Sequence, residues 1–232
     1  MVKNDILSAT KANRFYWLGR YVERVYMTLH VLNKCYDKMI DGEPDDYMSL
    51  WSKLDMSGVY KDNDEFVFGM MYDENNPSSV MSSLECAKSN AILLREDIMS
   101  ETLSYIEMSV ALVKRCKEQH LLTPVSLQSV IDWSLAFWGS AEQRLQNHKA
   151  LSIMQAGRNV ENIDMKLRFG YSLRRIALAY ESLGRYGLGI ADEIDGNIKK
   201  QIDDIISCDS FDSETDDKRS VLLKFINRLV RV

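Results

Sequence analysis

Proline and glycine are scarce. Three prolines and 11 glycines in 232 residues impose few breaks, and apolar residues recur at helical spacing almost throughout, which leaves little room for a sheet. A basic excess is missing too. With 29 Lys and Arg against 34 Asp and Glu, a net charge of -5 and a pI near 5.3, broad adhesion to nucleic acid or anionic lipid is not expected, because both need a basic face that releases counterions. No run approaches the roughly 20 apolar residues that span a bilayer. The opening Met1-Val2-Lys3-Asn4-Asp5 leads into a charged helix without an apolar stretch, so a signal peptide is not expected and a cytoplasmic location is.

The chemistry of common sites is equally thin. Cys35, Cys86, Cys116 and Cys208 lie far apart with no Cys-x-x-Cys spacing, which excludes a zinc knuckle or redox pair and leaves reduced, mostly buried thiols. None of His30, His120 and His148 follows a glutamate by three residues, so the Glu-x-x-His ligands of a di-iron bundle are absent. No metal and no cofactor is expected. There is no P-loop, no local Ser-His-Asp or Cys-His signature, and the glycine run Gly184-Arg185-Tyr186-Gly187-Leu188-Gly189 lacks the preceding strand of a dinucleotide fingerprint. That run reads as a loop between helices.

What remains is an all-α chain, 46% hydrophobic, long enough for one sizeable helical domain over residues 1–232. Leu18, Val22, Val25, Leu29, Leu32 and Tyr36 alternate at three- and four-residue steps and predict a helix over 11–40, closed by Asp41-Gly42-Glu43-Pro44. Shorter helices are expected over 46–53 and 64–72. Asn76-Pro77-Ser78-Ser79 offers a turn and capping hydroxyls, so a long helix from Ser79 to about Thr102, with room for a break, and then another to His120 should follow. After Thr123-Pro124 come a helix over 125–138, an interruption at Gly139-Ser140, and a run over 141–183 that bends or breaks near Gly170. A helix over 190–206, an acidic loop over 208–217 and a last amphipathic helix over 218–232 complete the reading. Trp133, Phe137 and Trp138 read as core, with a docking surface for a partner protein as the alternative. The basic face of the last helix suits either a bundle cap or a membrane surface, and the cap is preferred.

Sliding the chain on itself by 138 residues places Arg158 on Arg20, Gly157 on Gly19, Val160 on Val22, Glu161 on Glu23, Met165 on Met27 and Leu167 on Leu29. An internal duplication of a Gly-Arg-x-x-Glu helix is the simplest explanation. It divides the chain into a first repeat over about 11–122 and a second, shortened one over about 141–232. On the first helix Tyr16, Arg20, Glu23 and Met27 fall opposite the Leu18, Val22, Val25, Leu29 stripe, which suggests a second buried face. Glycine ahead of each arginine implies close approach of another helix or a ligand. Two readings stay open. Arg20 with Glu23, and Arg158 with Glu161, are structural pairs tying the repeat helices together; or the pairs converge on a polar pocket in which the arginines grip a carboxylate or phosphate and the glutamates act as acid-base groups or amine ligands.

The segment Asn13-Arg14-Phe15-Tyr16-Trp17-Leu18-Gly19-Arg20-Tyr21-Val22-Glu23-Arg24 resembles the opening signature of the bacterial alpha-E proteins. Asn76-Pro77-Ser78-Ser79-Val80 is similar to their Asn-Pro-x-Ser-Ile motif, and Ala87-x-x-Asn90-Ala91-x-x-x-Arg95 with Ser100-Glu101 to their Ala-Arg-Glu-Asn-Ala-Arg helix and its continuation. Departures are Lys88-Ser89, Ile92, Leu103 and Asn162, each where the family usually carries another residue. The resemblance implies a helical protein encoded beside, or fused to, a circularly permuted ATP-grasp ligase and often a transglutaminase-like protease. It points to an accessory or binding protein in peptide or amide-bond synthesis or modification, whose ligand is a peptide or an anionic small molecule. The alternatives are an enzyme acting on an anionic peptide-like substrate and a purely structural bundle. Carried onto matching positions, Glu23, Glu161 and Glu101 are the candidate catalytic residues, and Arg20, Arg158, Asn90 and Arg95 the candidate binding residues.

Overall fold

A computed structural model describes residues 7–41, 47, 50, 54, 60–207 and 216–232. Among them the chain forms nine α-helices: α1 (Ala9–Ile40), α2 (Asn63–Tyr72), α3 (Val80–Leu93), α4 (Arg95–Glu118), α5 (Gln128–Arg144), α6 (His148–Arg168), α7 (Leu173–Gly187), α8 (Gly196–Ile206) and α9 (Asp216–Ile226). Short 3₁₀ turns, Pro124–Leu127 and Leu188–Glu193, precede α5 and follow α7. One isolated bridge joins Ile194 to Val230. The fold is all-α. No helix among the described residues is long and apolar enough to cross a membrane.

The chain divides into two compact units, Met1–Arg20 with Gln146–Val232, and Tyr21–Leu145. In the first, α6 packs against α7 and α9, and α9 against α8. In the second, α3, α4 and α5 pack in succession and α2 lies against α3 and α4. The sequence of α1 contributes to both units.

Local chemistry explains most boundaries. Ser79 caps α3, its hydroxyl accepting from Ser82 N at 3.0 Å while donating to Asp73 O at 2.5 Å. Asn147 caps α6 through Ala150 N at 3.0 Å, and Asp195 caps α8 through Asn197 N and Ile198 N at 3.0 and 3.1 Å. Gly170, with φ 69°, supplies the left-handed residue that ends α6. As expected, both stripes of α1 are buried: Leu18, Val22, Val25 and Leu29 on one, Tyr16, Arg20, Glu23 and Met27 on the other. Phe137 and Trp138 are core residues.

Three expectations need correction. Helix α5 runs unbroken through Gly139 and Ser140; one helical glycine costs only about 1 kcal/mol, and Ser140 is tied to Thr102 by a hydroxyl contact of 2.8 Å. The break allowed for in the 79–102 segment falls at Leu94, where two helices meet, and α4 itself is kinked where Met99 takes φ 69°. The expected 190–206 helix becomes α-helical only at Gly196, where Asp195 caps it. The last helix stops at Ile226, because Leu229 O accepts from Asp195 N at 2.8 Å and Arg231 N donates to Glu193 O at 2.7 Å, which draws the chain out of helical pairing. Most of the expected 46–53 helix and of the 208–217 loop lies outside the described residues.

Candidate functional site

In the first unit, α1 and α6 approach so closely that side chains are excluded from the crossing. A Cβ on Gly19 would stand 2.1 Å from Met154 O, and one on Gly157 2.1 Å from Tyr16 O. The contacts are reciprocal, since each glycine meets the carbonyl three residues before the other. Glycine before arginine therefore serves a helix rather than a ligand.

That approach places Arg20 on α1 beside Glu161 on α6, with Nε donating to Oε2 at 2.6 Å. Arg20 also donates to Asn227 Oδ1 at 2.8 Å. Asn227 in turn donates to Asp164, which accepts from Arg168 Nε at 2.8 Å. Over its faces, the Arg20 guanidinium carbon lies 5.0 Å from the Trp17 ring and 5.9 Å from the Tyr16 ring. Burial opposes the charge on Arg20, but Glu161, Tyr16 and Asp164 outweigh it and raise the guanidinium's pKa. Burial likewise raises the Tyr16 phenol, against the pull of Arg20.

This arrangement holds charge but offers little chemistry. The side chains of Arg20 and Glu161 are 7% and 1% exposed, and the carboxylate is committed to a guanidinium, so a substrate has no direct approach to it. The ion pair joins one copy of the Gly-Arg-x-x-Glu motif to the other, a partnership that the three-residue spacing within each helix did not suggest. Glu23 is buried and Arg158 half-buried. Asp164 and Asn227 were not foreseen; only Asp164, a charge on the buried side of α6 three residues after Glu161, carried a readable signal.

The second unit contains an open polar cleft of about 420 Å³. Tyr21 from α1, Glu74 from the loop after α2, and Ser82, Glu85, Cys86, Ser89 and Asn90 from α3 line it. Recurrence at three- and four-residue steps sets these α3 residues in one polar stripe, beside the buried stripe of Val80, Leu84, Ala87 and Ala91. The polar stripe was legible in the sequence, although only Asn90 was singled out from it.

Neighbours brace the cleft. Arg24 lies over the Tyr21 ring, 5.6 Å from its centre, and its Nη1 reaches Pro77 O at 3.4 Å. Asn76 fixes the loop before α3 by accepting from Ser78 N at 2.9 Å and donating to the Tyr60 hydroxyl at 3.0 Å. Two lysines of α4 hold the cleft carboxylates: Lys114 pairs with Glu85 at 2.7 Å and Lys117 with Glu74 at 3.0 Å. The Lys117 ammonium lowers the pKa of Glu74, and Glu85 raises that of Lys114. Of the other candidates, Arg95 and Glu101 are exposed, and neither lines the cleft. Glu101 faces Arg144 at 3.4 Å.

Among the described residues no group of three or more His, Cys, Asp and Glu side chains could hold a metal ion. Comparison with curated proteins and with solved structures gave no match. A family model does match, over residues 7–183, and its description is a predicted alpha-helical domain with a conserved ER motif. The chain's one Glu-Arg dipeptide is Glu23-Arg24, whose arginine braces the cleft. With three quarters of its length covered by that model, the chain belongs to the Alpha-E family.

Proposed function

We propose that this chain is a binding protein, an accessory of ATP-grasp-linked synthesis or modification of peptides or amides, and that a peptide-like ligand lies in the cleft of the second unit. One observation carries the reading. Two stretches far apart in sequence, carrying the motifs by which the chain resembles its family, meet at this opening: Tyr21 to Arg24, and Asn76 to Ser79 continuing into α3 up to Asn90. The first stretch and the turn before α3 build the cleft and brace it, and α3 supplies its polar wall.

The lining suits an amide-rich ligand. Ser82, Ser89 and Asn90 present hydroxyl and amide groups to peptide N–H and C=O groups, the Tyr21 ring gives an apolar surface, and an amine end can exchange with Lys117 and Lys114 at Glu74 and Glu85. An amine is also what an ATP-grasp ligase joins to an activated carboxylate. The enzyme reading, with Glu161 as acid-base group on an anionic substrate held by Arg20 and Arg158, is disfavoured by the burial of the Arg20–Glu161 pair. Arg20 and Glu161 instead act as the clamp of the first unit.

The test is an amide-resolved NMR titration with the dipeptides Lys-Ser, Ala-Ser and Glu-Ser, followed by a reconstitution. Saturable shifts at Tyr21, Ser82, Ser89 and Asn90, largest with Lys-Ser, are expected. Asn90→Ala, checked for folding by circular dichroism, should remove them. A partner ATP-grasp ligase from the same genome should release less ADP with Asn90→Ala than with the native chain. Absence of cleft shifts with all three peptides would sink the binding reading; equal ADP release would sink the ligase link.

A further inference from the structure

We infer that the first unit carries a second binding site, for a small hydrophobic amine, unrelated to the cleft of the second unit. A half-open cavity of about 450 Å³ lies among α7, the turn after it, the start of α8 and the segment that follows α9. That volume is in the range of small-molecule sites, roughly 300–1,000 Å³. Apart from Tyr180, Glu181 and Leu183, the residues lining it fall outside the stretch matched by the family model, so the cavity belongs mainly to this chain's own C-terminal part.

Its walls are built to stay in place. Leu183 and Leu229 are almost fully buried. The segment after α9 is pinned by the Ile194–Val230 bridge and by the two backbone bonds that Asp195 and Arg231 donate. Tyr180 is held by donating its hydroxyl to Asp203 at 2.9 Å.

Two glycines keep the space open. A Cβ at Gly184 or Gly196 would meet nothing within 4 Å, and neither glycine has a positive φ. Within α7, glycine costs helix stability relative to alanine and meets no packing or backbone need at Gly184. Gly184 lines the cavity, and its missing side chain leaves open space there.

Charge at the rim selects the ligand's head group. Lys199 is engaged by Asp203 at 2.6 Å, whereas Glu181 makes no ion pair among the described residues. The residual charge at the mouth is therefore negative, over an apolar interior. An aryl- or alkylamine, with its body inside and its ammonium at Glu181, complements both.

The experiment titrates the full chain with n-octylamine, n-octanol and n-octanoate, read by methyl NMR at Leu183, Ile194 and Leu229 and by thermal denaturation. Octylamine should give saturable shifts at these methyls and a midpoint that rises with concentration, with octanol weaker and octanoate weakest. Gly184→Leu should fill the cavity and abolish the octylamine shifts. Should that variant fail to fold, Glu181→Gln supplies the second reading: octylamine weakened about three- to fivefold, the range of an exposed charge pair, with octanol unchanged. Octanoate binding as tightly as octylamine, no saturable shift from any probe, or octylamine affinity unchanged in Glu181→Gln would each overturn the inference. The methyl probes lie in the first unit, so this failure is distinguishable from failure of the cleft.

Discussion

Replacing Gly157 by alanine tests the helix crossing on which the first unit depends. In an exposed helix the change would stabilise by up to about 1 kcal/mol. Here the new Cβ would sit 2.1 Å from Tyr16 O, a backbone atom that cannot rotate away, so α1 and α6 must part by at least 0.9 Å to reach even 3.0 Å. Separation of that size overpacks the crossing, at about 1–3 kcal/mol. It also stretches the 2.6 Å bond between Arg20 and Glu161, whose complete loss would cost about 3–5 kcal/mol. Taking the overpacking, part of the ion-pair term and the opposing helix propensity together, a loss of about 2–4 kcal/mol is expected. Urea unfolding followed by circular dichroism measures it. Gly19→Ala should behave alike, and the double variant should lose less than the sum, because the first Cβ already opens the gap that the second needs. A Gly157→Ala protein as stable as the native chain, or more so, would refute the close-approach argument.

Further outcomes follow from the same geometry. Glu161→Gln should destabilise by about 3–5 kcal/mol, because it leaves the Arg20 charge buried beside a neutral amide, whereas the paired change Arg20→Met with Glu161→Leu should lose less; urea midpoints of the three proteins decide it. Ser79→Ala should cost about 1–2 kcal/mol through loss of the α3 cap, seen as faster amide exchange at Ser82. Hydrogen bonds from Ile198 N, then Arg231, hold Asp195 below its ordinary pKa of 3.8. Its contribution is therefore present above pH 3.8 and lost as pH falls through the lower, folded-state value. Asp195→Asn should be less stable than the native chain at neutral pH and should lose that part of the acid slope; parallel acid-unfolding curves would contradict this.

What was readable in the sequence was what periodicity and local capping encode. Two buried stripes on α1 followed from the positions of Leu18 and Arg20, and the breaks at Ser79 and Gly170 followed from a hydroxyl and a left-handed glycine. Gly139 misled because a single glycine weakens a helix by less than the packing of α5 against α4 supports it. The end of α9 was hidden for a different reason: Leu229 and Arg231 are set by backbone bonds to Asp195 and Glu193, and no spacing rule connects residues so far apart. The same holds for Asn227, which completes the Arg20 network from 207 residues away. The cleft was half visible. Asn90 was singled out by resemblance, while the serines beside it needed only the stripe that they form on α3.

The discontinuity of the first unit bears on how the chain is made. Arg20 and the residues before it leave the ribosome more than a hundred residues ahead of Gln146, where the remainder of their unit begins. At roughly 5–20 residues per second, Tyr16, Gly19 and Arg20 wait on the order of ten seconds for the α6 surface that will meet them. The contiguous Tyr21–Leu145 unit has all its parts before that wait ends. A nascent chain stalled just before Gln146 would thus present a finished unit trailing an aromatic, adhesive leader, and chaperone binding should concentrate on that stage of synthesis.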